Sequence, residues 1–298
     1  MWYSVNSSYI YFQQQPQYVM DYYLYIFSII KDILSYKNYN INIILGNINV
    51  PNINNNNLIK VGINYEHTLV RIGGRDTRNS IIGKIKDDDN RNYLVRIDNF
   101  NNLNDSNIII DYSIPNIHNI SLVDSLNNFA KKMIYIAPKL YELNINSNNR
   151  TIETLTTFIN TNEPRRYKLL ELLKNNKIIH TNINNCFNKK KLQELYKKTK
   201  ILINIHQTEH HHTLEELRIL PALLNGVIVI SEFSPLTELV PYSKFIIWTK
   251  YDNIIDTIIN VINNYETFYN KIFNDNINIL EKLHDINYNN LKDKIDNL

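Results

Sequence analysis

The side chains of this chain that can bind or transfer groups gather in a few places. His206, Gln207, Thr208, Glu209, His210, His211 and His212 form its densest polar cluster, directly after the apolar run 201–205. Three consecutive imidazoles invite zinc. Neighbouring residues on a strand or helix point in different directions, however, and cannot close one tetrahedral site; the H-E-x-x-H spacing is also absent. Metal binding is therefore not expected. Two readings stay open, a polar loop that touches a substrate through His206, Glu209 and His211, and plain surface histidines.

A second cluster, Asn160 to Arg166, places two guanidinium groups where Asn162-Glu163-Pro164 signals a helix start. Helix dipole, free backbone amides and arginine forks together make an anion site without glycines, with Arg165 and Arg166 as its cations. The alternative is that both are ordinary first-turn surface residues, since cations at this end oppose the dipole. Thr213-Leu214-Glu215-Glu216 fits a capping box in which Glu216 reaches back to the Thr213 amide. The same carboxylates, Glu215 or Glu216, can accept hydrogen bonds from ribose or sugar hydroxyls. Ser231 and Glu232 end the next apolar run, and Glu66 and His67 end an earlier one.

The elements that position these residues emerge from a biased composition. Among 298 residues are 50 Asn and 49 Ile against 3 Ala, a bias of A/T-rich codons rather than of function. The 44% hydrophobic and 20% charged residues are globular values and exclude a disordered, collagen-like or coiled-coil chain. The length suits two domains or one large α/β unit. None of the six glycines falls into a P-loop or dinucleotide-binding spacing, so both are excluded. A single cysteine, Cys186, allows no internal disulfide and no Cys-rich zinc site, which predicts a reducing, cytoplasmic location. Net charge is +3, and the lysine runs 189–191 and 197–200 lack interleaved aromatics, so nucleic acid is not an expected partner. No signal peptide or membrane span is expected, because the most apolar early stretch carries Asp21, Lys31 and Asp32.

Hydrophobic periodicity predicts a helix over 19–36 and strands over 42–45, 58–65, 93–97, 108–112 and 133–137, with a helix over 122–132. Short apolar runs alternating with helices read as a parallel sheet. Asp87-Asp88-Asp89 and Gly73-Gly74-Arg75-Asp76 fall in a long irregular connection. Asn144 to Asn149 is the most linker-like stretch and puts a domain boundary near residue 150, giving domains 1–150 and 151–298. The second half alternates strands at 154–159, 177–183, 201–205, 227–231 and 245–248 with helices at 164–174, 192–198, 214–224 and 252–263. That order predicts a doubly wound Rossmann-like domain, with Asn225-Gly226 as a left-handed helix stop and a helical tail from 265.

The run Ile201-Leu202-Ile203-Asn204-Ile205-His206 and the run Leu214-Glu215-Glu216-Leu217-Arg218-Ile219-Leu220-Pro221-Ala222-Leu223-Leu224-Asn225-Gly226-Val227-Ile228-Val229-Ile230-Ser231-Glu232 carry a family likeness. They resemble the donor-binding half of GT-B glycosyltransferases of the family-1/family-4 kind, including those of large DNA viruses. The likeness covers roughly residues 150 to 262. It departs from the family where a Glu-x7-Glu pair is expected, since Thr213 and Pro221 stand at the two places. The resemblance implies an α/β fold of two Rossmann-like domains facing a cleft, with a C-terminal helix crossing back. It implies sugar transfer from a nucleotide sugar to a glycan, protein or small-molecule acceptor, without a cofactor or divalent metal and without integral membrane association. Location would be the cytoplasm, the host's if the chain is viral.

In this reading Arg165, Arg166, His206, Glu209, His211, Glu215, Glu216 and Ser231 serve the donor. Glu216 is counted with His67 as catalytic; His67 is the candidate general base that an inverting enzyme needs and a retaining one does not, a choice the sequence leaves open, and Tyr65, Glu66, Arg71, Arg75 and Asp76 are acceptor-side residues. The alternatives are a glycan-binding or scaffold protein of the same fold that has lost catalysis, and a nucleotide-sugar epimerase or phosphorylase.

Overall fold

The computed structural model describes residues 1–37, 39–46, 57–72, 81–86, 90, 92–209, 213–274 and 277–298. Two compact units divide the chain: Met1–Pro138 together with His284–Leu298, and Lys139–Leu283.

The first unit opens with a hairpin of β1 (Trp2–Val5) and β2 (Ser8–Phe12), which turns through Asn6 at φ 51°. Helix α1 (Gln17–Tyr36) follows Pro16 and buries Val19, Tyr22, Tyr23, Ile26, Ile29, Ile30, Ile33 and Leu34, one face at three- and four-residue spacing. Then come β3 (Asn42–Leu45), β4 (Leu58–Asn64), β5 (Leu69–Arg71), β6 (Ile81–Lys86), β7 (Asn92–Arg96), α2 (Phe100–Asn104), β8 (Ile108–Asp111), α3 (Ile114–Ser121), α4 (Asn127–Ala130) and β9 (Met133–Tyr135). The main sheet runs β1-β2-β3-β4-β8-β9 and is parallel throughout except for the β1–β2 pair.

Two expectations are corrected in this unit. The run 93–97 is not a strand of the parallel sheet; β7 is the centre of a separate antiparallel sheet, β5-β7-β6. A continuous apolar run suits either setting, because β7 is buried on both sides. The helix expected over 122–132 is instead α3, a turn at Asp124–Leu126 and the short α4. Pro115 in the first turn starts α3 earlier than the apolar pattern suggests.

The second unit holds β10 (Ile152–Thr156), α5 (Pro164–Asn175), β11 (His180–Asn182), α6 (Lys189–Lys197), β12 (Thr199–Asn204), α7 (Glu216–Leu223), β13 (Ile228–Glu232), β14 (Ile246–Thr249), α8 (Ile254–Asn263) and α9 (Tyr265–Phe273). All its strands are parallel, in the order β11-β10-β12-β13-β14. The expected α/β class, helices around parallel sheets, is therefore what the structure has. Helix α7 ends as the sequence suggests: Gly226 has φ 67°, its amide bonds Leu223 O at 2.9 Å, and Val227 N bonds Ala222 O at 3.1 Å, the double closure of a left-handed cap.

The division falls at Pro138/Lys139, and the Asn-rich stretch that follows is tied down within the second unit. Tyr141 Oη donates to Lys189 O at 3.0 Å and Asn144 N to Leu224 O at 2.8 Å. The buried Arg150 guanidinium donates to the carbonyls of Asn146, Tyr196, Thr199 and Asn225. The last helix, α10 (Asn278–Asp296), starts in the second unit, but its residues from His284 onward belong to the first. There Asn287 bonds both Ala137 N (2.9 Å) and Ala137 O (2.8 Å), and Leu291 and Ile295 are buried. Among the described residues no helix is long and apolar enough to cross a membrane.

Candidate functional site

The strand order of the second unit reverses at β10, with β11 on one side and β12 to β14 on the other. Chain segments leaving neighbouring strands for opposite faces open a crevice at the carboxyl ends, where open α/β sheets bind ligands. At this point Glu163 stands at the N-cap position of α5, and its Oε1 accepts from Asn160 Nδ2 (3.1 Å) and Gln207 Nε2 (3.4 Å). The loops after β10 and β12 therefore meet there.

Arg165, one residue into α5, extends to the end of β13. Its Nη1 and Nη2 donate to Glu232 Oε2 and Oε1 at 3.0 and 2.6 Å, and Nη1 also reaches His206 O at 3.3 Å. Glu232 Oε2 additionally accepts from His206 N at 2.9 Å. The guanidinium lies 4.2 Å from the centre of the Tyr251 ring, whose hydroxyl donates to Arg165 O at 2.8 Å. A planar fork on a carboxylate, stacked on an aromatic face, is the arginine geometry that also suits phosphate. Arg166, the next residue, is buried, with its guanidinium 4.8 Å from the centre of the Phe158 ring.

Further along the same sheet end, Asn204 links Arg218 and Ser231, accepting from Arg218 Nη1 at 2.9 Å and donating to Ser231 Oγ at 3.0 Å. Glu216 is fully buried, and its Oε2 accepts from Tyr242 Oη at 2.5 Å. The capping box is corrected accordingly. Helix α7 begins at Glu216 itself with Glu215 at the cap position, and the buried Thr213 Oγ1 accepts no bond from the helix amides. Glu209 is exposed. His211, Arg75, Asp76 and the Asp87–Asp89 triplet lie outside the described residues. Among the described residues no group of three or more His, Cys, Asp or Glu side chains is placed to hold a metal ion.

In the first unit the turn after β4 carries a second cluster. His67 Nε2 lies 2.9 Å from Arg96 Nη1, Arg96 Nη2 pairs with Asp98 Oδ1 at 2.7 Å, and Glu66 Oε2 is 3.9 Å from both His67 Nδ1 and Arg96 Nη1. Tyr65 packs edge-on against Tyr18 and Tyr23; burial first, then the Tyr18 phenol, then the charges of Glu66 and Asp98, pushes its own phenol up to about 12. Arg71 ends β5, partly exposed.

Beneath the turn sits Asp111, fully buried at the end of β8 beside Asn64. It accepts from Asn64 Nδ2 (2.6 Å), Ser113 N (2.8 Å) and Asn116 Nδ2 (3.1 Å). Burial pushes its carboxyl up to about 7 against these hydrogen bonds, which favour the charged form. Asn64 and Asn116 also donate to Glu66 O, and Asn116 Oδ1 accepts from Thr68 N and Oγ1. Asp111, Arg96 and Asn116 escaped sequence reading, although a polar residue ending an apolar run, as Asp111 ends 108–110, is the signal that singled out Ser231 and Glu232.

No family model matches the chain. It is 35% identical over 196 residues to an uncharacterized protein of Acanthamoeba polyphaga mimivirus; the match spans 61% of this chain and 66% of that protein, just under two thirds of its length. Among solved structures, the catalytic domain of starch synthase IV from Arabidopsis thaliana bound to ADP and acarbose overlaps 96% of this chain and 78% of its own. That overlap has a TM-score of 0.44 and 11% identity.

Proposed function

We propose that the chain is a glycosyltransferase that takes a sugar from a nucleotide-sugar donor and passes it to a glycan, protein or small-molecule hydroxyl. The observation that carries this reading is the meeting of Glu163, Arg165, His206, Gln207 and Glu232 at the point where the strand order reverses. The resemblance of the 201–232 run to donor-binding halves supports it. The second unit then holds the donor, with Arg165 on its diphosphate once Glu232 gives way and without a divalent metal. The first unit supplies the acceptor side through the turn 65–67, whose Glu66 and His67 are the groups able to take a proton. The reaction is placed in the cytoplasm, the host's for a viral protein.

The test is ligand-induced stabilisation. A donor at 100 times its dissociation constant adds about 2.7 kcal/mol to stability. UDP-, GDP-, dTDP- and CMP-sugars are each added, and the reading requires one of them to raise the melting temperature of the wild type and to fail with Arg165→Ala.

A second reading, a binding or scaffold protein without catalysis, is favoured by one observation. Pro221 and Thr213 stand where the family pair would be, while Glu216 is buried against Tyr242. Turnover of a nucleotide sugar that Glu66→Gln or Arg165→Ala abolishes rejects it.

A further inference from the structure

We propose that Arg96 fixes His67 as a neutral ring protonated at Nδ1, so that Glu66 rather than His67 receives the acceptor's proton. The inference rests on the glycosyltransferase reading for its chemistry, but the state of the ring can be read without it. An arginine side chain only donates. With Arg96 Nη1 at 2.9 Å from His67 Nε2, that nitrogen accepts, and the ring proton sits on Nδ1, the side where Glu66 Oε2 stands 3.9 Å away. The imidazole lone pair a general base needs is thus already occupied by a guanidinium.

That guanidinium is held in place. The Arg96 side chain is 9% exposed, its Nη2 pairs with Asp98 at 2.7 Å, and its backbone N–H bonds Thr68 O at 2.9 Å. The Glu66 side chain is 32% exposed against 15% for His67, and its backbone carbonyl is fixed by Asn64 and Asn116, both anchored on Asp111. The backbone of the turn is therefore rigidly placed while the Glu66 carboxylate is the member of the pair facing solvent. In the transfer step the acceptor oxygen bonds to the anomeric carbon of the donor and its proton passes to a Glu66 carboxylate oxygen. The bond from that carbon to the nucleotide diphosphate breaks, and the diphosphate leaves with the electron pair. His67 and Arg96 are positioning residues.

Nitrogen-15 NMR of the full chain in neutral solution reads the ring directly. The expected spectrum has His67 protonated at Nδ1 and bare at Nε2, a pattern that Arg96→Ala alters and Arg96→Lys partly keeps. A proton on Nε2, or on both nitrogens, overturns the proposal. In transfer assays Glu66→Gln lowers kcat by about 100-fold or more, the scale of a lost general base, while His67→Gln retains most of kcat. The reverse order also overturns it. A wild type that transfers no sugar strikes the proposed function instead and leaves the ring to be decided by its spectrum.

Discussion

Arg165 and Glu232 grip each other through two parallel hydrogen bonds of 3.0 and 2.6 Å, although 67 residues separate them. The pair joins the first turn of α5 to the end of β13, and the bond from His206 N to Glu232 adds the end of β12. Their side chains are only 14% and 11% exposed, so the attraction is weakly screened and the loss of either partner strands a charge.

Glu232→Ala is accordingly expected to destabilise the second unit by about 3 kcal/mol, the low end for breaking a buried pair. The double change Arg165→Met with Glu232→Leu should recover most of that loss. Urea unfolding of the single and double variants measures both, and a loss in the single variant near zero marks the pair as an ordinary surface contact.

The Tyr242–Glu216 bond predicts a second asymmetry. Tyr242→Phe removes a hydrogen-bond donor from a fully buried carboxyl oxygen and should cost about 2 kcal/mol, within the range for leaving a buried acceptor without that partner. Glu216→Gln keeps an acceptor for the Tyr242 hydroxyl and should cost less. Equal losses in the two variants contradict this account of Glu216.

Gly226 sits at φ 67°, where a side chain is strained, and a Cβ there would lie 2.8 Å from Arg150 Nη2 and 2.9 Å from Tyr269 Oη. Gly226→Ala should lower stability by more than the ~1–2 kcal/mol of left-handed strain alone, because the Arg150 fork must move off its carbonyls. Thermal unfolding compared with a substitution at an exposed helix site checks it.

The two units should respond to acid in opposite directions. Asp111 in the first unit has its carboxyl raised from 3.8 to about 7 by burial, so its contribution is complete below about 3.8 and is lost as pH rises through 7. His180 in the second unit, between the Thr154 and Thr156 hydroxyls, is lowered from 6.5 to about 4 by burial. Its contribution is complete above 6.5 and is lost as pH falls through 4. NMR-monitored urea unfolding from pH 4 to 7 should show the first unit weakening and the second strengthening as pH rises. Asp111→Asn should remove the first slope and His180→Gln the second.

The second unit was the more legible in the sequence, and the reason lies in particular residues. From 201 to 249 only two of the 50 asparagines occur, Asn204 and Asn225, and both are fully buried with structural bonds, so the apolar runs stand out undiluted. In the first unit β1 and β2 were missed because their alternation is carried by serines and tyrosines such as Ser4, Ser8 and Tyr9 rather than by aliphatic residues. The antiparallel pairing of β7 was hidden for a different reason: partner and direction are set by tertiary contacts, not by the composition of a buried strand. Among the site residues, Arg165 and His206 were visible from their places after strands. That Glu232 occupies the Arg165 fork, and that Arg96 reaches His67, depends on distances no local pattern encodes.

Hydrogen–deuterium exchange of the full chain with and without a saturating panel of nucleotide sugars tests the central claim most directly. The account predicts protection, with at least one donor, concentrated in peptides covering 157–166, 205–209 and 231–234. No protection with any donor, or protection confined to other segments, contradicts it.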